Sequence, residues 1–166
     1  MTRYVAQLGL PICHALLIRD NDLNLLTVDL FDDQASCEQA LNGLLEQGAQ
    51  PSSLPEPIAK LYVEFFQGAP SSIDRLNLQG TDFQRRVWAT IASIPAGEVR
   101  SYSELAAMLG QPTAARAVAS ACARNTLALL VPCHRVVPAS GGVGQYRWGS
   151  ALKERLLRYE AGLKAL

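Results

Sequence analysis

Between residues 81 and 124 the chain is punctuated so often that only short, closely spaced helices can form there. Thr81 stands as an N-cap before "DFQRRVWATIASI", and Phe83, Val87, Ile91 and Ile94 recur at spacings of three and four, which puts them on one helical face. Pro95-Ala96-Gly97 ends that helix. Ser101-Tyr102-Ser103-Glu104 then has the S-x-x-E spacing of a capping box, predicting a second short helix that stops at Gly110 and carries Tyr102 in its first turn. After the turn "GQPT", Thr113 is the predicted cap of a third helix, "AARAVASACAR". Two short helices joined by about four residues give the outline of a helix-turn-helix, an outline that many helical hairpins share.

The third helix is built from small side chains. Ala114, Ala115, Ala117, Ala119, Ser120, Ala121 and Ala123 leave Arg116 as the one long residue in its first half. On a buried face such residues serve close packing. On an exposed face they cannot reach base edges in a major groove, where recognition helices carry long polar side chains. A thin helix suits a widened minor groove, with one inserted side chain disturbing the base stack. On this reading Thr113, Ala114, Ala117 and Ser120 lie against DNA, and Arg116 is the inserted side chain, since a planar guanidinium can fill the space a base leaves.

The net charge of zero hides a division. Residues 1–79 hold 4 Lys and Arg against 10 Asp and Glu, whereas residues 80–166 hold 11 against 5. A basic half joined to an acidic half points to contact with a polyanion through one half, without distinguishing DNA, RNA or an acidic protein. The expected organisation is a small α/β domain over 1–79, followed by a mainly α domain over 80–166 that holds the helix-turn-helix. In the first, "HALLIRD" and "LNLLTVDLF" joined by Asp20-Asn21-Asp22 predict a hairpin, and "DQASCEQALNGLLEQG" a helix. "PSSLPEP" reads as a linker, "PIAKLYVEFFQG" as a helix and "RLNLQG" as a short extended piece. Cys13, His14 and Cys37 match no zinc spacing, so core and surface roles are expected for them and no metal.

Four cysteines without a C-x-x-C pair point to a reducing compartment. "MTRYVAQLGLPICHALLIRD" does not have the pattern of a signal peptide, and no apolar span approaches membrane length. A cytoplasmic protein without membrane contact is expected.

In "LLVPCHRVVPASGGVGQYRWG" a cysteine and a histidine stand side by side where an apolar run meets a glycine-rich loop. A lone cysteine is ordinarily a small buried hydrophobe. Its surroundings change that reading, because "GTDFQRRVW", "IPAGEVRSYSELA", "AARAVASACARN", "VPCHRVV" and "GQYRWG", in this order and spacing, closely resemble the O6-alkylguanine-DNA alkyltransferases, a family of direct-reversal DNA repair proteins. The resemblance runs from about residue 80 to 162 and is weak before it. Thr126 follows Asn125 where a proline is frequent in the family, which bears on the stiffness of that turn. No zinc-ligand set of the kind some members carry can be aligned, which implies a metal-free member.

The resemblance implies a mechanism and a set of roles. Cys133 is the nucleophile that takes an alkyl group from O6 of guanine, and possession of the cysteine disfavours a binding-only relative. His134 is the base, acting through a water because neighbours on an extended chain point apart, and Glu160 orients its ring. Tyr102 donates toward N3 of the base, and Asn125 braces the third helix against the Cys133 segment. Tyr146 stacks on the extruded base beside Trp148, the N–H of Arg147 approaches O6, and the carbonyls of Cys133 and Val136 accept from the exocyclic amine. The product thioether is unreactive, so the protein acts once, without a cofactor. The implied partner is double-stranded DNA carrying O6-alkylguanine, bound through the minor groove by a monomer, with cooperation along DNA left open. A cysteine hydrolase is the competing enzyme class, and the acidic half is expected only to support the fold.

Overall fold

A computed structural model describes residues 1–165. Three strands, β1 (Tyr4–Gly9), β2 (His14–Arg19) and β3 (Leu25–Phe31), form an antiparallel sheet. The predicted hairpin is β2–β3, and its turn is held by Asp20, whose Oδ1 accepts from the backbone of Asp22 at 2.8 Å and Asn24 at 3.0 Å. Strand β1 has no counterpart in the sequence reading, because only Val5 of its six residues is buried and its alternation is weak. The two-residue strand β4 (Gln50–Pro51) pairs parallel with β1 at the sheet edge, where a proline lacking N–H is tolerated. The start of the expected linker is therefore sheet.

Helix α1 (Gln34–Glu46) is capped by Asp33, which accepts from the Ser36 N–H at 2.7 Å, and covers one sheet face, its Cys37 sharing a small core with Val5, Leu16 and Ile18 of the strands and with Ala49. The other face, with Cys13, Ala15, Leu17, Val28 and Leu30, merges into a larger core shared by α2 (Glu56–Phe66) and the basic half. Cys13 and Cys37 thus belong to different cores. Among the described residues no cluster of His, Cys, Asp and Glu could hold a metal, and no helix is long and apolar enough to cross a membrane.

"RLNLQG" is not a strand. Ile73–Arg75 form a 3-10 turn and residues 77–79 pair with nothing regular. The free edge of β3 is taken instead by residues 126–128: the Val28 N–H donates to Thr126 O at 2.7 Å, and Thr126 Oγ1 donates to Leu26 O at 3.2 Å. Thr126, standing where a stiffening proline was expected, is held from outside by a sheet edge.

The basic half follows its punctuation closely. Helix α3 (Asp82–Ala92) has a full capping box between Thr81 and Gln84, and buries Val87, Trp88 and Ile91. Helix α4 (Tyr102–Met108) starts where the Ser101 hydroxyl accepts from the Glu104 N–H at 3.0 Å, and Gly110 turns the chain at φ +74°. Helix α5 (Ala115–Ala123) packs on α3, whose Trp88 indole donates to Ala121 O at 3.0 Å. The expected Thr113 cap is absent: Ala114 occupies the N-cap position, held by its own N–H to Gln111 O at 2.9 Å. The turn after α4 is closed by backbone bonds and leaves Thr113 exposed. Strand β5 (Arg100–Ser101) pairs parallel with β6 (Val136–Val137), and α6 (Ser150–Lys164) closes the chain.

The two threonines give a paired test. Thr81→Ala should lower unfolding free energy by about 1 kcal/mol, and Thr113→Ala should stay within about 0.5 kcal/mol of the parent. Urea midpoints at neutral pH measure both, and equal losses would contradict the cap assignment.

Candidate active site

The segment leading to Cys133 is clamped by one side chain. Asn125, 2% exposed, donates from Nδ2 to Val131 O at 2.9 Å and accepts at Oδ1 from the Leu127 N–H at 2.9 Å. Within this clamp Leu129 is held at φ +72°, a left-handed conformation uncommon for a side-chain-bearing residue. Asn125 therefore ties the chain just after α5 to Leu127 and Val131, on the approach to Cys133.

Cys133–Arg135 form a 3-10 turn and not the extended strand end that was expected. Pro132 cannot donate to a ladder, and the Arg135 N–H closes on its carbonyl at 3.0 Å. At three residues per turn successive side chains diverge by about 120°. Cys133 lines a surface cleft while His134 points inward and is fully buried. The ring Nε2 of His134 lies 2.9 Å from Glu160 Oε1, and its Nδ1 is buried with no hydrogen-bond partner.

Glu160 sits on the inner face of α6, 1% exposed. It also accepts from Arg135, at Oε1 from Nε at 3.0 Å and at Oε2 from Nη2 at 2.5 Å, while Arg135 Nη1 donates to Ile94 O at 2.8 Å. Burial alone would raise the Glu160 pKa, but hydrogen bonds from His134 and Arg135 and their charges bring it down to about 2. Burial lowers the His134 pKa, Glu160 pulls it up, and the charges of Arg135 and Lys153 lower it further. The imidazole is neutral at neutral pH. An ionised Glu160 selects the tautomer with the proton on Nε2, leaving the Nδ1 lone pair available.

Burial pushes the Cys133 thiol well above its ordinary pKa, with neighbouring Cys122 adding to the rise and Asn125 and Lys153 opposing it. The resting group is a thiol, and any nucleophilic use of it would require a base to take its proton.

The cleft holds about 440 Å³ and is lined by Tyr102, Cys122, Cys133, Pro138, Tyr146 and Arg147, among others. Burial, then the charges of Cys122 and Cys133, raises the Tyr102 pKa to about 12, so its phenol is a donor. Gly144 shapes the wall: at φ +77°, a Cβ there would lie 2.6 Å from Pro138. Val136 and Trp148, both expected to touch substrate, are not among the lining residues. Trp148 stands edge-on to Tyr146, ring centroids 5.1 Å apart.

Lys153 was missed. It is fully buried on α6 and donates from Nζ to Val136 O at 2.7 Å and to Gln145 O at 3.1 Å, joining the strand after the Cys133 turn to the glycine-rich wall of the cleft. Arg135 was missed as well. The signal was present: Lys153 and Glu160, seven apart, share the helical face of Leu152 and Leu156, a core stripe interrupted by charge.

Arg116, Ala117 and Ser120 are exposed on α5, Ala114 is half-buried at its start, and Arg116 forms no hydrogen bond or ion pair among the described residues. These residues form a surface separate from the His134–Glu160 cluster. The cleft lies between the two, with Ala119, Cys122 and Ala123 of α5 in its lining.

Residues 82–162 match the family described as 6-O-methylguanine DNA methyltransferase, DNA binding domain. The regulatory protein ada of Salmonella typhimurium is 44% identical over 119 residues, 67% of this chain and 34% of that protein. The methylated-DNA–protein-cysteine methyltransferase of Mycobacterium tuberculosis is 44% identical over 126 residues, 70% of this chain and 76% of the relative. A crystal structure of Mycobacterium tuberculosis OGT in complex with DNA has a TM-score of 0.73 at 32% identity, covering 98% of this chain and 94% of that one. The chain spans from about a third to about half the length of the first curated relatives it matches.

The buried carboxylate makes acid stability a test. With its pKa lowered from 4.5 to about 2, Glu160 contributes stability that is fully present above pH 4.5 and is lost as pH falls toward 2. Glu160→Gln should cost about 3 kcal/mol at pH 7 by leaving Arg135 unpaired. The gap between variant and parent should narrow on acidification through that window, as followed by denaturation at a series of pH values. A constant gap would contradict the assignment.

Proposed function

The chain belongs to the O6-methylguanine DNA methyltransferase family, and from that premise we propose that it repairs DNA by moving an alkyl group from O6 of guanine onto its own Cys133. The observation that carries the reading is the buried His134–Glu160 pair directly behind a cleft-lining thiol. The Cys133 proton passes through a water to Nδ1 of His134, and Glu160 stabilises the imidazolium that results. Sulfur attacks the alkyl carbon in line as the carbon–O6 bond breaks. Tyr102 donates to N3 of the departing guanine, so the net change is thiol plus alkylguanine to thioether plus guanine. Nothing near Cys133 can cleave a thioether, hence one turnover per molecule. No cofactor enters this chemistry.

Guanine would sit against Tyr146, with the Arg147 N–H toward O6. The Cys133 carbonyl and the second lone pair of the Val136 carbonyl, whose first is used by Lys153, would accept from the exocyclic amine. O6 lies inside a stacked duplex, so this pose requires extrusion of the nucleotide. In the same reading α4 and α5 form a helix-turn-helix, whose Arg116, Ala117 and Ser120 face, with Thr113 and Ala114, enters the minor groove. The crystal structure of the Mycobacterium tuberculosis relative with DNA supports that partner. The division at residue 80 becomes one of labour, with the basic domain contacting DNA as a monomer.

Incubation with a duplex containing O6-methylguanine should add one methyl per chain, located on Cys133 by digestion and mass spectrometry, and Cys133→Ser should abolish it while leaving duplex affinity within about threefold. Binding without a mass change would select a binding-only protein, and neither result a cysteine hydrolase. Arg116→Ala should slow transfer from duplex DNA at least about tenfold and leave reaction with free O6-benzylguanine nearly unchanged, since that base arrives unstacked. Equal losses on both substrates would make Arg116 a scaffold residue.

A further inference from the structure

The glycine-rich wall of the cleft is anchored at three places by side-chain hydrogen bonds. Lys153 holds Gln145 O at 3.1 Å, Arg147 Nη1 donates to Asn125 O at 3.3 Å, and the Trp148 indole Nε1 donates to Asp29 Oδ1 at 2.9 Å. The first two come from the basic half. The third crosses 119 residues of sequence to strand β3, and among the described residues it is the one side-chain hydrogen bond from residues 1–79 to this loop. It acts at a sensitive place, because Tyr146, which forms the wall, has no anchor of its own: its buried phenolic oxygen has no partner. The ring is set by its neighbours, edge-on to Trp148 and edge-on to His134 at 6.4 Å. Strand β3 is itself rigidly placed. Its edge pairs with residues 126–128, upstream of Cys133, so one strand carries both the nucleophile segment and the wall that faces it.

We propose that Asp29 is a positioning residue for alkyl transfer: by holding the Trp148 indole it fixes Tyr146 and so sets the width of the cleft at Cys133. The acidic half then shapes the site and does not merely support the fold. The inference rests on the alkyl-transfer reading for its kinetic consequence, but not for its structural one.

Two readouts keep these apart. The chain has two tryptophans, and the Trp88 indole, bonded to Ala121 O, serves as an internal reference. In Asp29→Ala, hydrogen exchange at the Trp148 indole should accelerate at least tenfold while Trp88 is unchanged. Asp29→Asn retains an acceptor and should keep the protection. This measurement needs no activity, so absence of transfer in the parent would defeat the functional reading and leave the latch testable. For transfer to Cys133 from duplex O6-methylguanine, Asp29→Ala and Trp148→Phe should each slow the rate about fivefold, the loss of one hydrogen bond's worth of positioning. The double variant should be no slower than the slower single one, and Asp29→Asn should fall within twofold of the parent. Loosening the wall should penalise methyl more than benzyl, so the rate ratio of O6-benzylguanine to O6-methylguanine should rise in Asp29→Ala. A purely structural role would move the melting temperature and leave that ratio fixed. Unchanged indole exchange, additive losses in the double variant or an unchanged ratio would each overturn the proposal.

Discussion

A carboxylate with about 1% of its surface exposed cannot stay ionised without partners, and the arrangement around Glu160 follows from that constraint. Arg135 takes one of its oxygens fully and shares the other with His134. The guanidinium supplies the neutralising charge, which leaves the imidazole free to be neutral. Were His134 the only partner, charge balance would favour the imidazolium, and the lone pair on Nδ1 would be lost. In the proposed reaction Arg135 thereby supports the base as much as Glu160 does, although it does not line the cleft. Its Nη1 donates to Ile94 O just past α3, so the ion cluster also joins the end of that helix, the Cys133 turn and α6.

The sheet edge imposes the second constraint. An unpaired edge strand is a liability, and β3 resolves it by pairing with residues 126–128. That pairing supplies outside support to the Asn125 turn, which here lacks a stiffening proline. Salt bridging of Arg155 on α6 to Asp32, just past β3, adds a further tie between the halves. With a core that runs without a break from β2 and β3 into α3, α5 and α6, the acidic and basic halves are one packed body despite their opposite charges.

The two halves differ in how plainly their elements can be read. Helices α3 and α4 announce themselves, because capping and helical spacing act within a few residues: Thr81 with Gln84, Ser101 with Glu104, Gly110 at the stop. The Asp20 turn is equally local. Thr113 misleads because a cap needs the right backbone conformation as well as an oxygen, and the turn after α4 gives that position to Ala114. Strand β1 is obscured because only Val5 of its residues is buried, and two of the elements that flank it, β4 and α1, lie far along the chain.

The candidate site divides along the same line. Sequence by itself determined the helix punctuation, the small-residue face of α5 and, through an ordered set of motifs, the family to which Cys133 and His134 pointed. Those features are carried by residues close together in the chain, whose interactions have short range. Tertiary structure alone decided that Cys133 sits on a 3-10 turn, that Lys153 and Arg135 belong beside the site, that Trp148 stands behind the wall, and that Asp29 of the acidic half reaches it. Each of these depends on a hydrogen bond or packed contact whose partner is brought near only when the chain folds. Nothing in the spacing of residues 29 and 148 encodes a distance of 2.9 Å; that comes from the shared core and the pairing of β3, which hold the two segments in register.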